Sequence, residues 1–385
     1  MLKSTTKILA RTGLLDRLRF CRPVFCGAGV MVALGAAGCQ TDDRVASVPS
    51  SQTQAALAPA NAQMKAVLDE FQSMNPKPIE TLSPEEARRQ PTPTQAVTSL
   101  LKKRGMSTEP QAVGSVNNRT VPTSYGSVPV RVYTPAGNGP FPVVVYIHGG
   151  GWVLATLDTY DASARALTVS SNAVVVSVDY RLSPEYKFPS AHEDCYEVTQ
   201  WVMNNANQIN GDAKRVAIAG ESAGGNMATA VCLMSKDRGT LMPIHQVLIY
   251  PVTDASTDFE SARQFASARP LSTPMLPWFL KHYLRTPADG ANKYFSVLRV
   301  SDDQLAALPP ATVVTAQIDP LRSQGQAYAE KLESAGVDVA YKNFNGVTHE
   351  FFGMARVVNE ARSAQQFVAD RLKQAFETQS GITSR

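Results

Sequence analysis

The sequence predicts an α/β fold, with a mostly parallel sheet of eight strands flanked by helices. Two observations carry that expectation. After residue 115, short β-branched runs alternate with stretches of helical periodicity, and the runs are apolar along almost their whole length, as in strands buried on both faces. Between about 252 and 305 the alternation stops, and a stretch holding Pro270, Pro274, Pro277, Trp278, Phe279 and Tyr283 takes its place. That stretch reads as an insertion over the sheet rather than as core.

Taken in order, the chain opens with six basic residues against one acid in residues 1–38. An uncharged run over 23–37 follows Arg22, and Ala36-Ala37-Gly38-Cys39 closes it. Basic start, short apolar run and small residues make a secretory signal, and the run is too short to span a bilayer comfortably. Cys39 after small residues resembles the lipobox of bacterial lipoproteins, with Ala36 where Leu is usual. The expectation is export, with a lipid anchor on Cys39 and a periplasmic or outer-membrane-associated protein. An ordinary cleaved signal and a secreted protein, or a retained N-terminal anchor, are the alternatives. Residues 39–60, rich in Gln, Ser, Ala and Thr, read as a flexible tether.

Residues 61–115 precede the strand–helix alternation, and 61–105 of them look helical. Met64, Val67, Leu68 and Phe71 recur at helical spacing, and Ser83-Pro84-Glu85-Glu86 is a helix start with Ser as N-cap. The catalytic domain is expected over 116–380, with strands at 119–122, 128–133, 143–147, 174–178, 216–219, 247–250, 312–316 and 337–344. The first two form an antiparallel hairpin around Gly126. Helices are expected near 161–171, 192–205, 223–236, 324–335 and 358–377. Functional sites in such sheets lie at the carboxyl ends of the strands.

Composition narrows the function classes. The 385 residues are 44% hydrophobic and 18% charged, as in an ordinary folded domain. The net charge of +4 comes from the N-terminal segment, so the body is near neutral and nucleic acid is not an expected partner. Cys195 and Cys232, both in predicted helices, read as buried free thiols. Five scattered histidines without H-x-H or H-E-x-x-H give no metal site, and no dinucleotide fingerprint points to a cofactor.

Four pieces carry chemistry. Gly220-Glu221-Ser222-Ala223-Gly224 lies between a strand and a helix, the context in which a G-x-S-x-G turn exposes its Ser hydroxyl. His148-Gly149-Gly150-Gly151-Trp152 follows the strand at 143–147; its unobstructed backbone N–H groups suit an oxyanion, with Gly149, Gly150 and Ala223 as the expected donors. Asp319 and His349 each follow a later strand. Ser222, Asp319 and His349 thus stand in the chain order nucleophile, acid, base. Each piece alone has a structural reading, as a tight turn, a flexible loop or a satisfied histidine. Their joint order favours a catalytic triad.

On these motifs the chain resembles the hormone-sensitive-lipase-like bacterial esterases of the α/β-hydrolase superfamily. Val178-Asp179-Tyr180-Arg181-Leu182-Ser183-Pro184-Glu185 and Phe188-Pro189-Ser190-Ala191 resemble two further segments of that family, and the likeness runs from about residue 62 to 375. The resemblance implies an α/β-hydrolase fold, a cap from the N-terminal helices and the insertion, no cofactor, and hydrolysis of short-to-medium acyl esters through an acyl-enzyme. A small-molecule ester is then the partner. Glu221 stands where many relatives have Asp or Thr, and Ser323-Gln324 where many have two acids. Asp179, Arg181 and Glu185 read as an ion-pair network bracing the oxyanion loop. Trp152, Phe71, Trp278, Phe279 and Tyr283 are candidates to line the substrate pocket. A deacetylase or amidase is the competing enzyme reading, because a triad does not encode the leaving group, and a non-catalytic binding protein on the same fold is the other class.

Overall fold

All eight expected strands form in the computed structural model of the chain, which describes residues 59–382. The expected signal, the Cys39 anchor and nearly all of the tether lie outside the described residues. Three helices come first: α1 (Ala62–Ser73), α2 (Pro84–Ala87) and α3 (Pro93–Lys103). Asn61 caps α1, its side chain accepting from the Met64 N–H at 2.9 Å, and Ser83 and Glu86 form a reciprocal capping box on α2. The hairpin β1 (Ser115–Thr123) and β2 (Gly126–Thr134) follows. Then come β3 (Phe141–Ile147), α4 (Asp161–Ser171), β4 (Val174–Val178), α5 (Ser190–Asn205), β5 (Gly211–Glu221), α6 (Ala223–Arg238) and β6 (Gln246–Ile249). Short helices α7 (Glu260–Gln264), α8 (Met275–Tyr283) and α9 (Asp302–Leu305) occupy the interruption, and β7 (Ala311–Ile318), α10 (Arg322–Ser334), β8 (Val339–Thr348) and α11 (Asn359–Ile382) complete the alternation.

The sheet order is β1-β2-β4-β3-β5-β6-β7-β8. β1, β2 and β4 pair antiparallel, and every pairing from β4 to β8 is parallel. Period-two alternation sends neighbouring side chains to opposite faces. Val143, Val145 and Ile147 of β3 join one core, with Val198 and Val202 of α5 and Met227 and Val231 of α6. Val144 and Tyr146 join the other, with Leu167 of α4 and Val368 and Leu372 of α11. Covering both faces is what allows the strands to be apolar throughout.

The cap differs from expectation in two ways. Met64 and Val67 of α1 and Leu100 and Leu101 of α3 pack into the second core, so these helices belong largely to the body. The later part of the 252–305 stretch does too: Tyr283, Leu284, Phe295, Val297 and Leu305 belong to the first core, because a turn at Val297–Arg299 packs against α6 and α10. What remains as cap is a small third cluster. There Ile79 and Ala87 from the N-terminal segment meet Leu271, Leu276, Trp278 and Phe279 from the insertion. Cys195 in α5 and Cys232 in α6 are buried free thiols.

The expected network of Asp179, Arg181 and Glu185 does not pair internally. Arg181 meets Asp194 of α5, which accepts from its guanidinium at 2.7 Å and from its backbone N–H at 3.0 Å. Glu185 meets Arg88, at 2.7 and 2.8 Å. Residues along one turn splay in different directions, so their partners come from other elements. Asp194 is fully buried while Arg181 keeps some solvent contact. Asp194→Ala leaves that guanidinium without its buried partner and is expected to cost about 2–3 kcal/mol, less than for a wholly buried pair. A urea titration checks this, as a lowered midpoint with an unchanged slope.

Candidate active site

Four strands deliver the site. β3 ends at Ile147 and hands over to His148, β5 ends at Glu221 before Ser222, β7 ends at Ile318 before Asp319, and β8 ends at Thr348 before His349. All four residues therefore sit at carboxyl ends of parallel strands, along one edge of the sheet.

Ser222 occupies a strained turn, with φ 58° and ψ −117°. The close approaches beside it exclude side chains. A Cβ on Gly220 would lie 2.1 Å from the Gly224 carbonyl oxygen, and one on Gly224 would lie 2.0 Å from the Ile147 carbonyl oxygen. Both obstacles are backbone, which cannot swing aside. The Ser222 N–H donates to Ile249 O at 2.8 Å, fastening the turn to β6.

The three chemical side chains form one hydrogen-bonded line. The Ser222 hydroxyl lies 2.9 Å from His349 Nε2, and His349 Nδ1 lies 2.7 Å from Asp319 Oδ2. A carboxylate accepts only, so Nδ1 carries the proton and Nε2 is left free to accept from the serine. Asp319 is wholly buried, and its other oxygen accepts from the Leu321 N–H at 2.8 Å. Burial pulls the His349 imidazole down, but the adjacent Asp319 outweighs it and holds the base above its ordinary range. Ser323 and Gln324, the expected departure beside Asp319, do not bond to it. Ser323 exchanges hydrogen bonds with Ser261, and Gln324 accepts from the Thr253 N–H at 2.7 Å, so they fasten the cap loop.

The glycine loop is built to stay open. Gly150 and Gly151 have φ of +96° and +59°, a region that L side chains enter with strain. The Tyr180 hydroxyl lies 3.0 Å from both the His148 and Gly149 carbonyl oxygens, and the Ser183 N–H donates to Trp152 O at 2.8 Å. His148 stacks on Tyr180 and is held neutral, its pKa pushed down to about 4 by burial. Ser222 and His349 open into a cavity of about 590 Å³. Gly150 and Gly151 line it beside them; Gly149 and Ala223 do not. Gly149 is set back against the Tyr160 hydroxyl and Glu221 O, where a Cβ would fall within 2.3 and 3.1 Å of them.

Of the candidate pocket residues, Trp152, Phe71 and Phe279 line the cavity. Trp278 and Tyr283 do not. Trp278 turns its indole N–H to Leu82 O at 3.0 Å, inside the cap cluster. Tyr283 is buried beneath Trp152, stacked at 4.6 Å between ring centres, with its hydroxyl 2.7 Å from His192 Nδ1. Met275, Leu276, Phe279 and Leu280 share the face of α8 that borders the cavity, and Trp278 and Tyr283 lie off that face. Among the described residues no group of three or more His, Cys, Asp or Glu is placed to hold a metal ion.

A ring of acids and phenols behind the triad is invisible to motif reading. Glu221 is buried and accepts from the Tyr146 hydroxyl at 2.5 Å and from the Tyr250 hydroxyl. Tyr250, expected as the last strand residue, instead leaves the strand with φ 38° and tilts its ring against His349. Glu350 accepts from the Tyr160 hydroxyl at 2.6 Å. The only sequence signal was Glu221, an acid in an otherwise apolar run.

With this geometry in place, the comparisons with known proteins are direct. A family model described as the alpha/beta hydrolase fold matches residues 144–353. The chain belongs to that family. It falls within the hormone-sensitive-lipase-like α/β hydrolases. An ethyl acetate hydrolase of Pseudomonas putida is 35% identical across 77% of this chain and 92% of that protein. The carboxylesterase NlhH of Mycobacterium tuberculosis is 40% identical across 65% of this chain and 79% of that protein. Among solved structures, a hyperthermophilic esterase from the archaeon Pyrobaculum calidifontis superposes with a TM-score of 0.75 at 33% identity, covering 82% of this chain and 99% of that one. As an α/β hydrolase, the chain has Glu221 in the position between Gly220 and Ser222.

Burial pushes the Glu221 carboxyl up to about 7, against the pull of the two tyrosine hydroxyls. The folded state thus holds this proton more tightly than the unfolded chain. The resulting stabilisation is complete below about pH 4.5 and is lost as pH rises through about 7. Glu221→Gln has no such proton to lose. Its melting temperature is expected to fall less than the wild type's between pH 4.5 and pH 7.5, and an identical fall would refute the assignment.

Proposed function

We propose that the chain is a serine carboxylesterase hydrolysing short-to-medium acyl esters by two-step acyl transfer. The observation that carries this reading is the unbroken line from Ser222 through His349 to Asp319 at the wall of a largely apolar cavity. An ester enters that cavity, and Ser222 attacks its carbonyl carbon while Nε2 of His349 takes the serine proton. Asp319 keeps the imidazole in the required tautomer and stabilises the imidazolium. The oxyanion is held by the N–H groups of Gly150 and Gly151, which border the cavity, together with Ala223 at the start of α6. That set takes Gly151 in place of Gly149, because Gly150 and Gly151 are the loop glycines that border the cavity, and keeps Ala223 for its place directly after the nucleophile at the start of α6. His349 then returns its proton to the departing alcohol, and water releases the acyl group by the same steps in reverse. Relatives named as an ethyl acetate hydrolase and a carboxylesterase support small esters as the substrate class.

The composition of residues 1–38 supports export as the second part of this reading, with Cys39 as a lipid-carrying first residue of the mature protein.

Hydrolysis of p-nitrophenyl butyrate by the full chain tests the first part. Ser222→Ala is expected to lower kcat/KM by at least about 10³-fold, and Asp319→Asn by about 10³–10⁴-fold. Equal turnover in Ser222→Ala would refute the mechanism. The wild-type kcat/KM is expected to rise with pH through a single limb set by His349, which must be neutral to accept the proton, and to place that limb above the ordinary imidazole value. For the second part, mass spectrometry of the mature N-terminus is expected to find a diacylated Cys39, and an unmodified residue or another start site would overturn it.

A further inference from the structure

The cavity has two unlike walls, each held together by its own contacts. One is apolar: Leu271, Leu276, Phe279 and Leu321 line the cavity and belong to the same buried cap cluster. The other is polar and is strung on hydrogen bonds. Thr94 of α3 donates to Thr159 O at 3.0 Å, and the next residue, Tyr160, donates its hydroxyl to Glu350 Oε1 at 2.6 Å. Thr156, Thr159, Tyr160 and Glu350 all line the cavity.

Glu350 is the distinctive member. It directly follows the base His349 and has a left-handed backbone, φ 69°. Its carboxylate makes one hydrogen bond, through Oε1 to Tyr160. Unlike Asp319, which is saturated by His349 and Leu321, it is partly exposed. Because Tyr160 spends its only hydroxyl proton on Glu350, the acceptor this pair leaves for a ligand is the second carboxylate oxygen, beside the Thr156 and Thr159 hydroxyls. The other charges on the cavity wall are already committed. Arg88 pairs with Glu185, and Asp254 pairs with Arg299.

We propose, on the esterase reading above, that Glu350 and Tyr160 form a subsite for a hydroxyl group on the alcohol half of the ester, so that the preferred substrates are short-chain monoesters of small polyols. The assignment of halves follows from proton delivery. His349 must reach the leaving oxygen, which places the alcohol on the side of Glu350 and leaves the acyl chain to the apolar wall. A hydroxyl there donates to the free carboxylate oxygen, a charge-assisted bond that an alkyl alcohol cannot make.

The test compares kcat/KM for 1-butyrylglycerol, ethyl butyrate and butyrylcholine, which share one acyl group. The wild type is expected to prefer 1-butyrylglycerol over ethyl butyrate by about tenfold or more, the usual size of one hydrogen bond to a charged group. Glu350→Leu is expected to bring that ratio close to one, and Glu350→Gln, which keeps the shape and one acceptor oxygen, to leave it between the two. Using the ratio cancels any common effect of the substitution on His349, and if the Leu variant does not fold the Gln variant decides. A wild-type ratio near one overturns the subsite, as does a ratio that survives in the folded variants. Preference for butyrylcholine equal to that for 1-butyrylglycerol also overturns it, because choline carries charge but no donor. In all three cases Ser222-dependent turnover of ethyl butyrate leaves the esterase reading standing; absence of turnover of any of these esters and of p-nitrophenyl butyrate would remove the esterase reading itself.

Discussion

The structure depends on one strained residue. Ser222 is held at φ 58°, a conformation that costs a non-glycine residue on the order of 1–3 kcal/mol and survives only where the surroundings enforce it. Here the enforcement is mostly backbone. β6 takes the Ser222 N–H, α6 begins at the next residue, and the glycines at 220 and 224 let α6 approach β5 and the end of β3 more closely than any side chain would permit. The same close approach that strains the serine sets its position against the loop following β3, so nucleophile and glycine loop are placed by a single packing event.

The rest of the site follows from strand order. β3, β5, β6, β7 and β8 are neighbours in the sheet and run parallel, so residues distant in sequence emerge side by side at one edge. Parallel pairing makes this placement insensitive to what fills the connections. The segment between β6 and β7 can therefore carry both the cap and a part of the main core without disturbing Ser222 or Asp319.

How much of this was legible in sequence depended on the kind of constraint. The eight strands were, because burial on both faces demands long β-branched runs. The nucleophile turn was, because its backbone contacts demand glycine at set spacing. The pocket residues were legible only in part. Trp278, Phe279 and Tyr283 are all aromatic and lie on one short helix, and only the packing of that helix decides that Phe279 reaches the cavity while Tyr283 stacks under Trp152. The partners of Arg181 and Glu185 were hidden for a related reason: Asp194 and Arg88 are brought to them by tertiary structure, not by local spacing. The acids and phenols behind the triad carry no motif at all, since a tyrosine at a strand end is ordinary β sequence.

That hidden group bears on why the triad has the electrostatics it does. Two carboxyl groups beyond the usual single acid would be hard to place near one imidazole if each needed a cation. Here Glu221 and Glu350 are held by tyrosine hydroxyls, which donate hydrogen bonds without adding positive charge. No cation then competes with the imidazolium that forms during proton transfer. Only Asp319 is bonded directly to His349; burial raises the Glu221 carboxyl to about 7, while at Glu350 the upward push of desolvation is opposed by the neighbouring His349 and the Tyr160 hydroxyl, which pull back toward the ionised form. The arrangement separates two tasks that a single acid pair would confuse: Asp319 remains the partner of the base, while the neighbouring acids supply structure at Glu221 and a surface for the substrate at Glu350.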